Sequence, residues 1–503
     1  MIPPVPRPED YDVDPDVGFL PTELPLECLP DPYYAKWETI GKNLQGLILS
    51  RRLRGVVDRL PVLSTAYLQT EAEWRRAYSL LAFISHAYIW GGDKPLEIVP
   101  PSVSIPFLST CDHLELPPVA TYAGVALWNY KPLFADEAPD TLDNLATLLT
   151  FTGSLDESWF YLISVAIETR AGPIIPLMLD AIQAARNGDA RMVTACLQSF
   201  AERLDELASL LGRMYENCDP HVFYHRIRPF LAGSKNMADA GLPNGVIFDD
   251  GTGTSDYVQY SGGSNAQSSV IQFFDLVLGI EHRPTGTKLN TASTVVQQEG
   301  TGPPPPSHNF IHEMRKYMPG PHRRFLERVA EVANIRDFVL ANQADQGLAT
   351  SYDACLAMLR NFRDKHVQMV SRYIIIKSRE TRRDSSTAQS ASPTPNPSQQ
   401  RVNIANTKSA DGKTKKDLRG TGGTALIPFL KQARDETGEP AIGTWARRLL
   451  GGAPVGMGME GMKMGGALLG AVTGEGRDGA PVQIKGLSGI WMDNGEMGGI
   501  CHW

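Results

Sequence analysis

The residue in this chain best placed to do chemistry is a histidine within an apolar helical stripe. His366 shares one side of a long helical segment with Leu359, Phe362, Met369, Val370 and Tyr373, at steps of three, four and seven. An imidazole so placed has two readings. The commoner is a core histidine whose nitrogens are satisfied by backbone or water. The other is an axial ligand to a metal macrocycle, since a haem needs a single helical histidine in an apolar wall. Arg363, one turn earlier on the same flank, would then pair with a propionate. Spacing alone favours the first reading.

Two further segments carry chemistry. In SGGSNAQSSVIQFFDLVLG (Ser261–Gly279), two glycines let backbone approach a ligand closely and Ser264 offers a hydroxyl. Ser264 can equally cap the next helix, with Gln267 completing a capping box. In FYHRIRPFLAG (Phe223–Gly233), Arg228 sits among apolar neighbours, a setting suited to gripping a carboxylate bidentately; a surface ion pair is the commoner fate of an arginine. The four-residue spacings His221/His225 and His308/His312 lack a HExxH pattern and read as surface histidines. GTGGT (Gly420–Thr424) lacks the Lys-Ser/Thr ending of a phosphate loop. No GxSxG or Cys/His signature supports nucleophilic catalysis.

The elements that must position these residues are mostly helical. Periodicity marks Trp37–Leu49, Glu71–Trp90, Thr141–Leu149, Ser158–Arg170, Asp189–Tyr215, Gln267–Leu278, His322–Val332 and Tyr352–Ile376. Within Glu71–Trp90, Trp74, Ala77, Leu80, Leu81, Ile84 and Tyr88 define one buried face. Strand signals are few, such as Ser102–Leu108, and Gly233–Tyr257 reads as a long loop. Nine of the 37 prolines fall in residues 1–33, an extended arm that packs irregularly or not at all. Residues 379–419, with SSTAQSASPTPNPSQQ, read as a disordered linker. Arg283–Ser307, with its Pro303–Pro306 run, is a second break. The last 53 residues hold 16 of the 46 glycines and form a low-complexity tail.

Composition removes whole classes of function. The 503 residues carry 48 basic and 56 acidic side chains, a net charge of -8, which argues against a dedicated binder of nucleic acid or anionic membrane. Six cysteines without CxxC spacing indicate neither a zinc knuckle nor a disulfide framework. The opening residues carry prolines and acids where a signal peptide would need a basic start and an apolar run, and no uninterrupted apolar run reaches the roughly 18 residues of a membrane span. A soluble, cytoplasmic protein is expected.

Taken together, these segments resemble the indoleamine 2,3-dioxygenase family, in a fungal-type form. The resemblance runs through PFLSTCDHLELPPVATYAG (Pro106–Gly124), WFYLIS (Trp159–Ser164), FYHRIRPFLAG, GGSNAQSSVIQFFDLVLGI (Gly262–Ile280), MRKYMPGPHRRFL (Met314–Leu326), NFRDKHVQMVSRYIII (Asn361–Ile376) and GTGGTALIPFLK (Gly420–Lys431), in collinear order. It implies a mostly α-helical protein in which a small N-terminal domain (34–130) caps a larger helical haem domain (131–378). The 420–440 segment, a GTGGT loop and a C-terminal helix, would complete that domain, and residues 441–503 would be tail. It further implies that dioxygen is inserted across the indole 2,3-double bond of L-tryptophan, giving N-formylkynurenine, the first step of the kynurenine route towards NAD.

Carried over residue by residue, the resemblance makes His366 the proximal iron ligand of protohaem and Arg363 the propionate partner. Gly263, Ser264 and Asn265 lie beside the cofactor. Tyr122, Phe160, Ser164, Phe223, Leu231 and Ser264 form the distal pocket. Arg228 holds the substrate carboxylate, and Thr421 belongs to a mobile loop closing over its ammonium group. With one protein ligand the iron keeps a position open for dioxygen, so no distal base is required and Ser164 is expected to be dispensable. An electron donor and a monomeric state are also implied. Two positions depart from the family pattern: Asn265 stands where relatives carry Ala or Gly, and Val125–Ala126 replaces the Cys-Val pair of mammalian members. A non-enzymatic dioxygen-binding protein on the same scaffold is the competing reading. It would not need Phe160, Phe223 and Arg228 together.

Overall fold

Helices begin where the sequence supplies caps. Thr70 accepts from the Glu73 amide, and Glu73 accepts in return from the Gln69 amide and the Thr70 hydroxyl, which satisfies amides that the first turn leaves orphaned. Asp189 and Asp345 accept from Met192 and Leu348 in the same way. The computed structural model describes residues 3–134, 136, 141–285, 309–380, 421 and 426–450, with the backbone of 482–486 and 489–493. The helices of eight residues or more are α1 (Ala35–Lys42), α2 (Glu71–Trp90), α3 (Pro101–Leu114), α4 (Leu155–Ala171), α5 (Ile174–Arg186), α6 (Ala190–Gly212), α7 (Ser269–Val277), α8 (Gly320–Val332), α9 (Gln346–Val370) and α10 (Leu426–Thr437). The mostly α fold expected from the sequence is the one observed.

Chain contacts group residues Met1–Gly452 into one unit and Ala453–Trp503 into another. In the first, α9 lies along α6, α5 packs on α6, α2 on α3, and α10 closes against α9. In the second, strands Val482–Gly486 and Gly489–Asp493 pair antiparallel, with Val482 opposite Asp493. The remaining linker and tail residues, the Pro303–Pro306 run and Gly420 and Gly422–Thr424 lie outside the described residues. A further helix, Thr444–Leu450, occupies the start of the segment expected as tail.

Several sequence expectations are corrected. Ser102–Leu108 is not a strand but the start of α3. Val103 and Ile105 gave a false alternation, whereas Pro101 at the first helical position is the stronger signal. Thr141–Leu149 is not a helix. It holds a short 3₁₀ turn and the strand Leu145–Thr147, paired antiparallel to Tyr130–Pro132. Gly233–Tyr257 is not all loop, because Ile247–Phe248 pairs parallel to Ile98–Val99. The segment Trp37–Leu49 breaks at Asn43 into α1 and Leu44–Leu49. The helix α2 is buried on all sides from Ala77 to Ile89 rather than on one face.

The proline-rich arm packs. Val13, Phe19, Leu20 and Leu29 enter the core, and Phe19 meets His322 edge-on at 5.0 Å. Gly18 has φ +68°, and a Cβ on Gly172 would overlap the Asp16 carbonyl, so small residues on both sides permit the close approach of arm to α4. Arg76 of α2 binds Glu38 of α1 through two bonds of 3.0 and 2.7 Å, and Glu38 also accepts from the Leu29 amide. That buried, forked pair ties the arm to the first two long helices. The run Leu155–Arg186 is long and apolar enough to cross a membrane by composition, which amends the sequence reading. Most of it is buried as α4 and α5 of the core.

Candidate active site

The residues that the resemblance assigns to cofactor and substrate meet at one cavity of about 250 Å³. Tyr122, Phe160, Ser164, Phe223, Arg228, Leu231, Gly263, Ser264, Asn265, Arg363, His366 and Thr421 line it, as do Val125 and Ala126. Segments more than 200 residues apart in sequence supply these side chains. Three stretches of the wall are widened π-helical turns: Ala123–Leu127, Phe223–Ile227 and Ser371–Ile376. Such turns re-aim side chains that a regular helix would keep in register, and they concentrate at functional sites. At Phe223–Ile227 the cause is local, since Pro229 has no N–H to continue the ladder into the next turn.

His366 is half-buried, its open edge turned to the cavity. Neither ring nitrogen bonds to another described residue. Burial, with Arg363 adding repulsion, lowers its pKa to about 4, so the imidazole is neutral with a lone pair available. Phe362, Val367, Met369 and Val370 surround it with apolar surface. A neutral imidazole without a protein partner, in an apolar wall, is the donor that a single-histidine haem iron requires, and the residues present fit that group.

Arg363 binds both carboxylate oxygens of Asp275 at 2.7 Å and also touches the Thr437 hydroxyl. Asp275 bonds His282 at 3.0 Å, and His282 reaches Glu436 of α10 at 2.7 Å. Burial alone would raise the Asp275 pKa, but Arg363 and His282 outweigh it and hold the group ionised. For His282, burial opposes the charge and Asp275 outweighs it. Arg363 therefore reaches the cavity already oriented by a buried ionic chain running from α9 through Asp275 of α7 and His282 to α10.

On the other side, Phe160 and Phe223 meet at 4.8 Å between ring centroids, and Tyr373 packs edge-on to Phe223 at 5.7 Å. Arg228 is 2% exposed, with its guanidinium 5.7 Å from the centroid of the Tyr224 ring, and burial lowers its pKa. A guanidinium at the wall of a dry cavity is suited to bind a carboxylate in a forked pair.

The glycine loop serves backbone packing as well as the cavity, where Gly263 lines the wall. A Cβ on Gly262 would strike the Leu231 carbonyl, and one on Gly233 would strike the Tyr260 carbonyl, so these two glycines let two backbone segments touch each other. Ser264 caps the short turn Asn265–Gln267 by accepting from the Ala266 amide, not the following helix. Gln267 completes no capping box. It accepts from the Tyr122 amide and donates to the Gly262 carbonyl, clamping two cavity segments. Thr421 seats on the same loop, its hydroxyl donating to Gly263 at 2.7 Å.

The helix expected within 420–440 is α10, but sequence reasoning missed its cavity-facing stripe, along with His86, Ser268 and Asp275. Leu426, Phe429, Leu430 and Ala433 of α10 form a stripe at steps of three and four on the cavity wall, a signal present in the sequence. His86 gave no such signal. The rings of His221 and His225 lie 4.4 Å apart, and no group of three or more His, Cys, Asp or Glu side chains is placed to hold a metal ion among the described residues; His308 lies outside them.

The chain is similar to known proteins over most of its length. The family model for indoleamine 2,3-dioxygenase matches residues 7–440. An indoleamine 2,3-dioxygenase, nanC, of Aspergillus nanangensis is 40% identical over 440 residues, 85% of this chain and 96% of that protein. The indoleamine 2,3-dioxygenase of Saccharomyces cerevisiae is 40% identical over 446 residues, 86% of this chain and 93% of its own. A protein of Fusarium equiseti named 6-hydroxytryptophan 2,3-dioxygenase is 39% identical over 428 residues, 85% of this chain and 96% of its own.

Proposed function

Because the chain belongs to the indoleamine 2,3-dioxygenase family of haem-dependent dioxygenases acting on indoles, we propose that its substrate is L-tryptophan and its product N-formylkynurenine. The observation that carries this reading is the gathering of His366, Phe160, Phe223 and Arg228 around one cavity. In this reading residues 34–130 cap the haem domain of residues 131–378, and the reaction opens the kynurenine route towards NAD.

His366 would hold the iron and Arg363 a propionate, with Gly263, Ser264 and Asn265 against the ring. Haem, when bound and kept ferrous by an electron donor, supplies the iron chemistry that activates dioxygen. The chain's own residues bind and orient the substrate. Arg228 takes the carboxylate, Leu231 packs on the side chain, and Phe160 with Phe223 fixes the indole plane, an effect of proximity and orientation. Asp275 is the one carboxylate on the described wall, and its pairing with Arg363 leaves it no role as a base. Both oxygen atoms end in the product, so no proton need be removed by the protein before the ring is attacked.

The test is one aerobic assay of reduced, haem-loaded protein with L-tryptophan, following N-formylkynurenine by absorbance. Product formation is expected, and its absence overturns the reading. Reversible dioxygen uptake indifferent to tryptophan would instead identify a dioxygen-binding protein. His366→Ala should abolish stoichiometric haem. Arg228→Ala should retain haem and raise KM steeply, since an unpaired buried carboxylate costs about 2–5 kcal/mol. The name of the Fusarium relative favours ring-hydroxylated tryptophans as a second substrate class.

A further inference from the structure

Behind the cavity wall lies a carboxyl group that the reaction does not use. Glu168, one turn beyond Ser164 on α4, is 1% exposed. Its Oε1 accepts from the Tyr122 hydroxyl at 2.8 Å and from the Ser268 hydroxyl at 2.7 Å, while Oε2 has no partner. Tyr122, Ser268 and Ser164 line the cavity in front of it. The Ser164 hydroxyl lies against that of Tyr122. The Tyr122 backbone is pinned in turn by Gln267 at 2.9 Å.

This arrangement has a direction. Each hydroxyl has one hydrogen and two lone pairs, and Tyr122 and Ser268 both spend their hydrogen on Glu168. Ionised, or neutral with its hydrogen on Oε2, Glu168 accepts both hydroxyls at Oε1. What the two oxygens have left to offer is lone pairs. Ser164 can donate to Tyr122 and then turns lone pairs to the cavity as well. A wall that only accepts is completed by a ligand that donates, and a group without a hydrogen leaves it unsatisfied.

We propose that Glu168, acting through Tyr122 and Ser268 with Ser164 beside them, makes this wall a reader of a hydroxyl on the benzo ring of an indole amino acid. The proposal rests on the reading of the cavity as an indole amino-acid site. Glu168 is a positioning residue in it, and Ser268 a specificity residue.

The experiment compares 5- and 6-hydroxytryptophan with the fluoro analogue at the same position, near in size but without a hydrogen to donate. The ratio of kcat/KM, hydroxy over fluoro, is measured for haem-loaded wild type and for Tyr122→Phe, Ser268→Ala, Glu168→Leu and Glu168→Gln. Comparing ratios between proteins cancels the substituents' electronic effects on the ring. At one ring position the first three variants should lower the ratio about fivefold, the worth of one neutral hydrogen bond. Glu168→Gln keeps an acceptor oxygen and should keep the ratio. If Glu168→Leu does not fold, Ser268→Ala alone decides. Unchanged ratios at both positions overturn the proposal, as does an equal loss for unsubstituted tryptophan, which would make the ring N–H the group read. The same ratios from dissociation constants need no turnover. Selective binding without product would sink the proposed reaction and leave the hydroxyl reader standing.

Discussion

Thr421 donates from its hydroxyl to the carbonyl of Gly263 at 2.7 Å, across 158 residues of sequence. Its own carbonyl accepts from the Gly262 amide at 3.2 Å. One residue of the C-terminal segment is thus bonded twice to the glycine loop that borders the cavity. The backbone bond survives any side-chain change, whereas the hydroxyl bond depends on Thr or Ser. Thr421→Val keeps the shape and loses the donor. It should raise KM for an indole amino acid about fivefold, the worth of one neutral hydrogen bond, with haem stoichiometry unchanged. Thr421→Ser should restore the wild-type value. Steady-state kinetics beside a Soret titration reads both, and a KM that the valine leaves untouched would rule out a role in closure.

Asp275 holds two cations, Arg363 and His282, in a nearly dry setting. Removing its charge leaves Arg363 without its ionic partner and His282 with Glu436 alone. Breaking a buried pair from one side costs about 3–5 kcal/mol, more than most surface pairs contribute. Asp275→Asn should therefore destabilise by that order and lower haem retention, because Arg363 loses the partner that orients it. Urea unfolding with a haem-to-protein ratio checks this. A variant as stable as wild type would mean that the chain of charges from α7 to α10 contributes nothing net.

How much of this was legible in the sequence depended on whether one residue's signal was local. The His366 stripe was readable because helical spacing is fixed by geometry, and Arg228 because its apolar neighbours adjoin it in sequence. Val103 and Ile105 misled, since alternation over so few residues fits a strand as well as a buried helix. Glu168 was overlooked because an acid in an apolar helix gains its meaning only from Tyr122 and Ser268, 46 and 100 residues away. The second role of the glycine loop, in which Gly262 touches the opposing backbone at Leu231–Gly233, was not legible, because that backbone cannot be seen from Gly262 alone.

His86 is a case of the same kind, legible only in three dimensions. Its Nε2 accepts from the Ala120 amide at 2.8 Å and its Nδ1 lies 2.7 Å from the Phe230 carbonyl, so Nδ1 carries the hydrogen. It links the segment leading to Tyr122 with the one leading to Leu231. Burial lowers its pKa to about 4, which keeps this neutral arrangement. His86→Leu preserves bulk but strands a buried amide and a buried carbonyl, at about 1–3 kcal/mol each. The expected loss is about 3 kcal/mol in urea unfolding, with weaker indole binding because both segments border the cavity. A loss below 1 kcal/mol would show that neighbouring groups take over both bonds.

His322 gives the acid side of stability. It is 2% exposed, against Phe19 of the arm, and burial, with Arg75 adding repulsion, lowers its pKa to about 3. The unfolded chain takes up this proton near 6.5 and the folded one does not. Its contribution is therefore complete above 6.5 and falls as pH drops, by about 1.4 kcal/mol per unit. His86 acts with the same sign. Glu168 acts with the opposite sign, because burial raises its pKa to about 7 and its contribution, complete below 4.5, is lost as pH rises through 7. The overall profile mixes these terms, and a difference profile isolates one. His322→Phe removes the titration and leaves an aromatic ring against Phe19. Between pH 7.5 and 5.0 the variant should gain about 2 kcal/mol relative to wild type, read as diverging urea midpoints. Parallel profiles would mean that the arm opens enough in the folded state for His322 to take up its proton.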